Sequence, residues 1–236
     1  FPGKPRCYIA LGDSSTEASP LYGQLGTAFR DSDPALSRRL MGAWQANGKP
    51  HSGFFGTTVM AIDERLPAQD PGLGSATFPG YCTVLRSGYG TPNETAAWIV
   101  NGDFYQDHRH ADAGEVVLYA LGVPLSVHWG SIYSPQTGGA YFHSSVLPES
   151  AIGRPWDQPG PPTDTAARGA WRKSSQASFT TGPAVDSVAS AFVGKGIEWK
   201  RLLQLHHDDP AMPVIVIRDE FDGPSAGEPK VLTLNL

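Results

Sequence analysis

The pattern of apolar positions changes character once along the chain. Up to about residue 65 apolar side chains recur at helical spacing, whereas from residue 81 they fall into short runs of strand length. Ser19-Pro20 opens a helix that reaches about Phe29, with proline in its first turn. Asp33-Pro34 opens a second, with Asp at the N-cap and Pro at N1. Its stripe is Leu36, Leu40, Met41 and Trp44, and Gly48 ends it. A stripe of this kind must be buried, and two short helices cannot make a core alone. They either lie on the β-rich part or close a helical domain that precedes it.

Residues 66–80 (LPAQDPGLGSATFPG) read as a Pro/Gly linker between a helical segment, 1–65, and a β domain, 81–236. The β domain carries ten strand-like runs: YCTVLRSG, TAAWIVNGD, GEVVLYALG, PLSVHWG, SSVLPES, SSQASFTT, DSVASAFVG, EWKRLLQLHH, PVIVIRDEFDG and KVLTLNL. Turn residues separate most of them at hairpin intervals, which predicts an antiparallel β-sandwich. Residues 152–167, rich in Pro and Gly, are expected to form a long surface loop. The expected class is therefore mainly β, with a short helical N-terminal segment.

Composition narrows the function. The 27 glycines and 21 prolines among 236 residues suit a turn-rich fold. A net charge of -5 gives no basic surface for nucleic acid. No apolar run approaches the roughly 18 residues of a membrane-spanning helix. Only Cys7 and Cys82 are present, which excludes a Cys-rich zinc module and a disulfide-stapled miniprotein. Two buried free thiols are the simple reading, and a Cys7–Cys82 bridge is the alternative in an oxidising compartment. The chain shows no signal peptide and no initiator Met, so it reads as cut from something larger.

The chemistry concentrates in residues 101–145, which hold His108, His110, His128 and His143, four of the seven histidines. Imidazoles are neutral metal ligands and the side chains that titrate near neutrality. For any one of them an exposed strand position is favoured about two to one, but four in one hairpin region favour a site. His108 and His110 share a strand face, with Arg109 pointing away. A two-residue turn at Leu121-Gly122 pairs positions so that His128 stands opposite Glu115, off the face of His110. A three-residue loop, or a bulge at Asp112-Ala113-Gly114, would bring it back. His206 and His207 are expected at the surface, and His51 sits in a Gly-rich loop with no partner in view.

The segment DHRHADAGEVVLYALGVPLSVHWG resembles the H-x-H-x-D…L-y-x-x-G-x-P-L-x-x-D-x-G block of the heparinase II/III-like polysaccharide lyases. GYCTVLRSG, YFHSSVLPES and PVIVIRDEF resemble strands of the same family in the same order. GDSST…FRDSDPALSRRLMGAW resembles the end of the α/α toroid that precedes its sandwich. The resemblance implies β-elimination on a uronic-acid glycan, a glycosaminoglycan or alginate, by a periplasmic or secreted enzyme. It implies that His108 lines the cleft; Tyr133 and Tyr141, which lie beside the histidines, are read as cleft tyrosines, with aromatic filler of the sandwich as the alternative. Arg86 and Arg109 would bind carboxylate or sulfate, and His110, His128 and His143 would hold a structural zinc. His128 stands where the family has aspartate, and Ser144 where it has asparagine. The family's remaining catalytic groups come from the toroid, so the implied partner is that N-terminal domain or a companion chain.

Three other functions compete. A glycan-binding or metal-stabilised sandwich would keep the fold without catalysis, and a uronyl C5-epimerase would share the first proton abstraction. Finally, residues 8–15 (YIALGDSS) look like the nucleophile block of Gly-Asp-Ser hydrolases, with Ser14 as nucleophile and Asp107 with His110 as its partners. That fold needs alternating β and α elements, and no such alternation is visible.

Overall fold

A computed structural model describes the chain apart from residues 1, 3–4, 8, 13, 15, 17, 54–60, 103–109, 131–136, 150–170, 172 and 236, and the side chain of Tyr141. It divides into two compact units. One comprises residues 1–9 and 15–73, the other residues 10–14 and 74–236.

The first unit holds α1 (Leu21–Ala28) and α2 (Pro34–Ala46). Asp33 caps α2 as expected, its carboxylate accepting the Leu36 amide at 2.9 Å. Met41 and Trp44 on the apolar stripe are fully buried, while Leu36 and Leu40 are half-buried. The helices approach closely because α1 offers no side chain at Gly23 and Gly26. A Cβ on Gly26 would stand 2.8 Å from the Met41 sulfur. Ser37 closes the contact by donating to the Gly26 carbonyl at 2.7 Å.

The second unit is a β-sandwich, and every strand pairing described is antiparallel. Five strands form one sheet in sequence order: β1 (Ala76–Phe78), β2 (Cys82–Ser87), β3 (Thr95–Val100), β4 (Val116–Ala120) and β5 (Val123–Ser126). The opposing sheet runs β10-β9-β8-β7, from β7 (Lys173–Thr180), β8 (Val185–Gly194), β9 (Ile197–His206) and β10 (Val214–Asp222). A small ribbon pairs β6 (Val146–Pro148) with β11 (Lys230–Leu232). The strand β1 is a correction: it lies inside residues 66–80, expected to be linker. Residues 10–14 likewise group with the sandwich rather than with the helices.

Period-two alternation decides the core. On β8 the even positions from Asp186 to Gly194 are buried; on β9 the odd positions from Ile197 to Leu205 are. Their inner side chains Val188, Phe192, Trp199, Leu203 and Leu205 meet Leu85, Ala97, Ile99 and Val116 from the facing sheet in one cluster. Each such burial contributes on the order of 1.5–3 kcal/mol.

Arg201 carries a charge in between the sheets. Arg201 is 2% exposed, and its guanidinium grips Asp219 through Nε (2.7 Å) and Nη2 (2.8 Å) while Nη1 donates to the Gly114 carbonyl at 2.7 Å. Gly114 has φ +75°, and a Cβ there would stand 2.2 Å from the Trp199 ring. Both conformation and space exclude a side chain. Gly114→Ala is therefore expected to destabilise the sandwich by roughly 3 kcal/mol, since overpacking and left-handed strain add. Denaturant unfolding measures this, and a shift below about 1 kcal/mol contradicts the packing.

Candidate metal centre

Three segments bring the histidines together. His110 immediately precedes the turn of residues 111–115, which is closed by Glu115 donating its amide to the Asp112 carbonyl at 2.8 Å. His128 follows β5, and His143 follows the 3₁₀ turn Ala140–Phe142. The β4–β5 hairpin is the two-residue kind, with Leu121 at φ +56° and Gly122 at φ +81°. It pairs Ala120 with Val123 and Tyr119 with Pro124, and a bulge then shifts the register so that Leu118 faces Ser126. The bulge thus falls at the β5 side of the hairpin rather than at Asp112-Ala113-Gly114. Beyond it the chain carries His128 to the other two rings.

The ring centroids of His110, His128 and His143 are 5.2, 5.4 and 4.9 Å apart pairwise. One nitrogen from each lies within 4.8 Å of the others, and all three residues are buried. Two carboxylates join them. Glu115 Oε2 stands 3.3 Å from His128 Nε2 and 3.0 Å from His143 Nδ1, and Asp112 Oδ2 is 3.8 Å from His128 Nε2. The Glu115 side chain is completely enclosed.

Burial pushes Glu115 up to about 8, with His128 opposing and Asp112 reinforcing the shift. Burial likewise drives His143 down to about 4, against the pull of Asp112 and the Gly138 backbone, so its ring is neutral near pH 7. Asp112 resists its own burial. The His128 hydrogen bond and the charges of the three imidazoles hold it below the usual carboxylate range.

This donor set suits a divalent cation. With Glu115 on Nδ1, His143 presents Nε2, a buried nitrogen with no hydrogen-bond partner among the described residues. His128 receives the Gly130 amide on Nδ1 at 2.8 Å and the Gly12 amide on Nε2 at 3.1 Å. A neutral ring has one acceptor nitrogen, so it can accept only one of these amides at a time, and a cation bound at that nitrogen would displace that amide too. Two carboxylates are at hand to balance a doubly charged ion, and three imidazoles match a borderline-soft one.

The other expected site residues divide. His108, Arg109, Tyr133 and Asp107 lie outside the described residues, and Tyr141 lies in the 3₁₀ turn two positions before His143. Arg86, expected to bind substrate, is corrected. It is 8% exposed, bonded to the buried Glu94, and its guanidinium sits 5.3 Å over the Trp98 ring. Its charge is met inside the protein. His207 is half-buried beside Asp186, 3.5 Å away, and His51 has Glu64 at 3.3 Å. Ser14, the candidate hydrolase nucleophile, holds a turn: its Oγ accepts the Leu11 amide at 2.9 Å and donates to the Leu11 carbonyl at 2.7 Å. The antiparallel sheets also exclude the α/β fold that reading needs. Cys82 is a free thiol; burial lifts it to about 12 and leaves it inert. Glu115 was not singled out from sequence. Its signal is a carboxylate heading the apolar run Val116–Ala120, where the cost of burial requires a partner.

No protein-family model matches the chain, and no curated protein matches it by sequence. Solved structures do match by fold. A heparinase III gene product aligns with TM-score 0.58 at 13% identity, over 94% of this chain and 30% of its own. Heparan sulfate lyase HepC from Pedobacter heparinus gives 0.58 and 13% over 92% and 30%. A further heparinase III gives 0.56 and 15% over 94% and 32%. The chain thus spans about a third of the length of these proteins and shares the fold of that part. No described helix is long and apolar enough to cross a membrane.

The pKa shifts give the cation-free chain a characteristic pH dependence. A raised Glu115 pKa favours the folded state at low pH, and that stability is lost as pH rises toward about 8. The lowered His143 pKa does the reverse between about 4 and 6.5, so the two oppose each other there. Above pH 6.5 only the Glu115 effect remains. Chelator-treated chain is expected to lose on the order of 1–2 kcal/mol between pH 6.5 and 8. Thermal melts at the two pH values measure it, and a flat or rising profile contradicts the assignment.

Proposed function

We propose that the chain is the β-sandwich part of a polysaccharide lyase that cleaves a uronic-acid glycan by β-elimination, with a structural zinc at the histidine centre. The observation that supports this most is the gathering of His110, His128 and His143 in a sandwich folded like that part of heparan sulfate lyases. Zinc held by these three imidazoles would cross-link the segments before β4, after β5 and before β6.

The elimination needs three services. A base removes the C5 proton, a cationic or hydrogen-bonding group neutralises the uronate carboxylate, and an acid protonates the departing O4. In this reading His108 faces the carboxylate, Arg109 holds a carboxylate or sulfate, and Tyr133 and Tyr141 flank the reacting carbon and leaving oxygen. Their proximity in sequence to the three metal-binding histidines supports the assignment. The rest of the catalytic set would come from an N-terminal toroid domain or companion chain. A polymeric anionic substrate would suit a periplasmic or secreted protein.

Metal analysis of the purified chain should find about one equivalent of zinc, with His110→Ala and His128→Ala each weakening retention at least ten-fold. A metal-free parent removes the centre. Incubating the chain, joined to its toroid partner, with heparan sulfate and alginate tests the reaction through the absorbance of the unsaturated uronate product. No product on either polymer, with zinc present, favours the non-catalytic glycan-binding sandwich instead.

A further inference from the structure

Of the five described tryptophans, Trp44, Trp98, Trp171 and Trp199 are at most 5% exposed, whereas Trp129 is 45% exposed. An indole left open forgoes a large apolar burial, so its position invites a function. Trp129 stands between His128, in the histidine centre, and Gly130. Its backbone is pinned on the Gly130 side: the Gly130 amide donates to His128 Nδ1 at 2.8 Å, and Thr137 Oγ1 donates to the Gly130 carbonyl at 3.1 Å. Gly130 itself is left-handed at φ +65°, and a Cβ there would stand 2.5 Å from the Ser14 carbonyl oxygen. The ring is braced by Phe142, edge-on at 77° with centroids 6.5 Å apart, and Phe142 directly precedes His143. A rigid, solvent-facing aromatic thus borders the metal centre.

We propose that Trp129 is a stacking shelf for one pyranose ring of a glycan lying across the histidine centre; this rests on the glycan reading above. A pyranose offers an apolar C–H face of about the area of an indole, and its hydroxyls remain at the rim in water. The ring needs no reorganisation to receive it, because its backbone and its Phe142 brace are already in place. Stacking does not depend on charge. It therefore supplies affinity for the sugar ring itself, separate from whatever groups answer the carboxylate. Val123 and Leu125 on β5, and Leu121 in the turn before it, are exposed by 39% or more.

Calorimetric titration of the purified chain with size-defined heparan sulfate oligosaccharides, and with neutral cello-oligosaccharides, tests the shelf. Trp129→Ala should weaken binding about ten-fold, Trp129→Phe should restore most of it, and both variants should keep the parent's zinc content and melting temperature. Unchanged affinity in Trp129→Ala overturns the proposal while leaving the glycan reading standing. Loss of zinc in Trp129→Ala, or a change in oligomeric state by light scattering without a change in affinity, also overturns it, making Trp129 a structural or protein-contact residue. A parent that binds no oligosaccharide defeats both the shelf and the glycan reading.

Discussion

The guanidinium of Arg201 is the tie on which both the sandwich and its cluster of histidines and carboxylates depend. A buried charge costs several kcal/mol unless it is paired and hydrogen-bonded. Here Asp219 receives it bidentately from the adjacent strand, the Trp199 ring lies 4.6 Å below it, and the Gly114 carbonyl takes a third hydrogen bond. The last of these crosses from the β7–β10 sheet to the turn that leads into β4. Since that turn also carries Asp112 and Glu115, the packing of the core sets where the carboxylates stand. Gly114 completes the arrangement by leaving room for Trp199.

The centre itself is governed by enclosure. His110, His128, Asp112 and Glu115 are all 8% exposed or less, and His143 is fully buried. Two carboxylates and three imidazoles in so little water cannot all hold their ordinary protonation states, which is why Glu115 is pushed up and His143 down. A cation reverses that logic, favouring the ionised carboxylates and the unprotonated rings at once. Enclosure also bears on the role of the ion. A metal that activates water needs an open coordination position, whereas a closed set of buried ligands suits one that holds segments together.

Much of the architecture was legible in the sequence because its signals are local. The Asp33-Pro34 cap, the α2 stripe and the alternation of β8 and β9 each depend on neighbours a few positions away, and the structure follows them. Leu121-Gly122 shows as a two-residue turn for the same reason. What escaped was long-range. The strand β1 is three residues of a Pro/Gly-rich stretch and owes its order to pairing with β2. Arg86 resembles a ligand-binding cation until Glu94 and Trp98 are seen around it. The Gly-Asp-Ser segment suggests a nucleophile, yet Gly12 meets the histidine centre through its amide, a contact spanning 116 positions. Such partners have no sequence periodicity to announce them.

Glu115 sits where two of the three imidazoles meet. Two-residue-turn arithmetic sets His128 opposite Glu115, and in the structure the two side chains do meet, at 3.3 Å. The register shift between Leu118 and Tyr119 moves His128 off that simple pairing, yet the Glu115 side chain still reaches its ring. Glu115 also reaches His143 at 3.0 Å, placing the carboxylate between two imidazoles rather than at the end of one. Because burial pushes Glu115 up to about 8, its carboxyl is largely protonated near pH 7 in the cation-free chain. A cation held by the imidazoles would draw it to the ionised form, so the charge of the carboxyl and the occupancy of the centre are coupled.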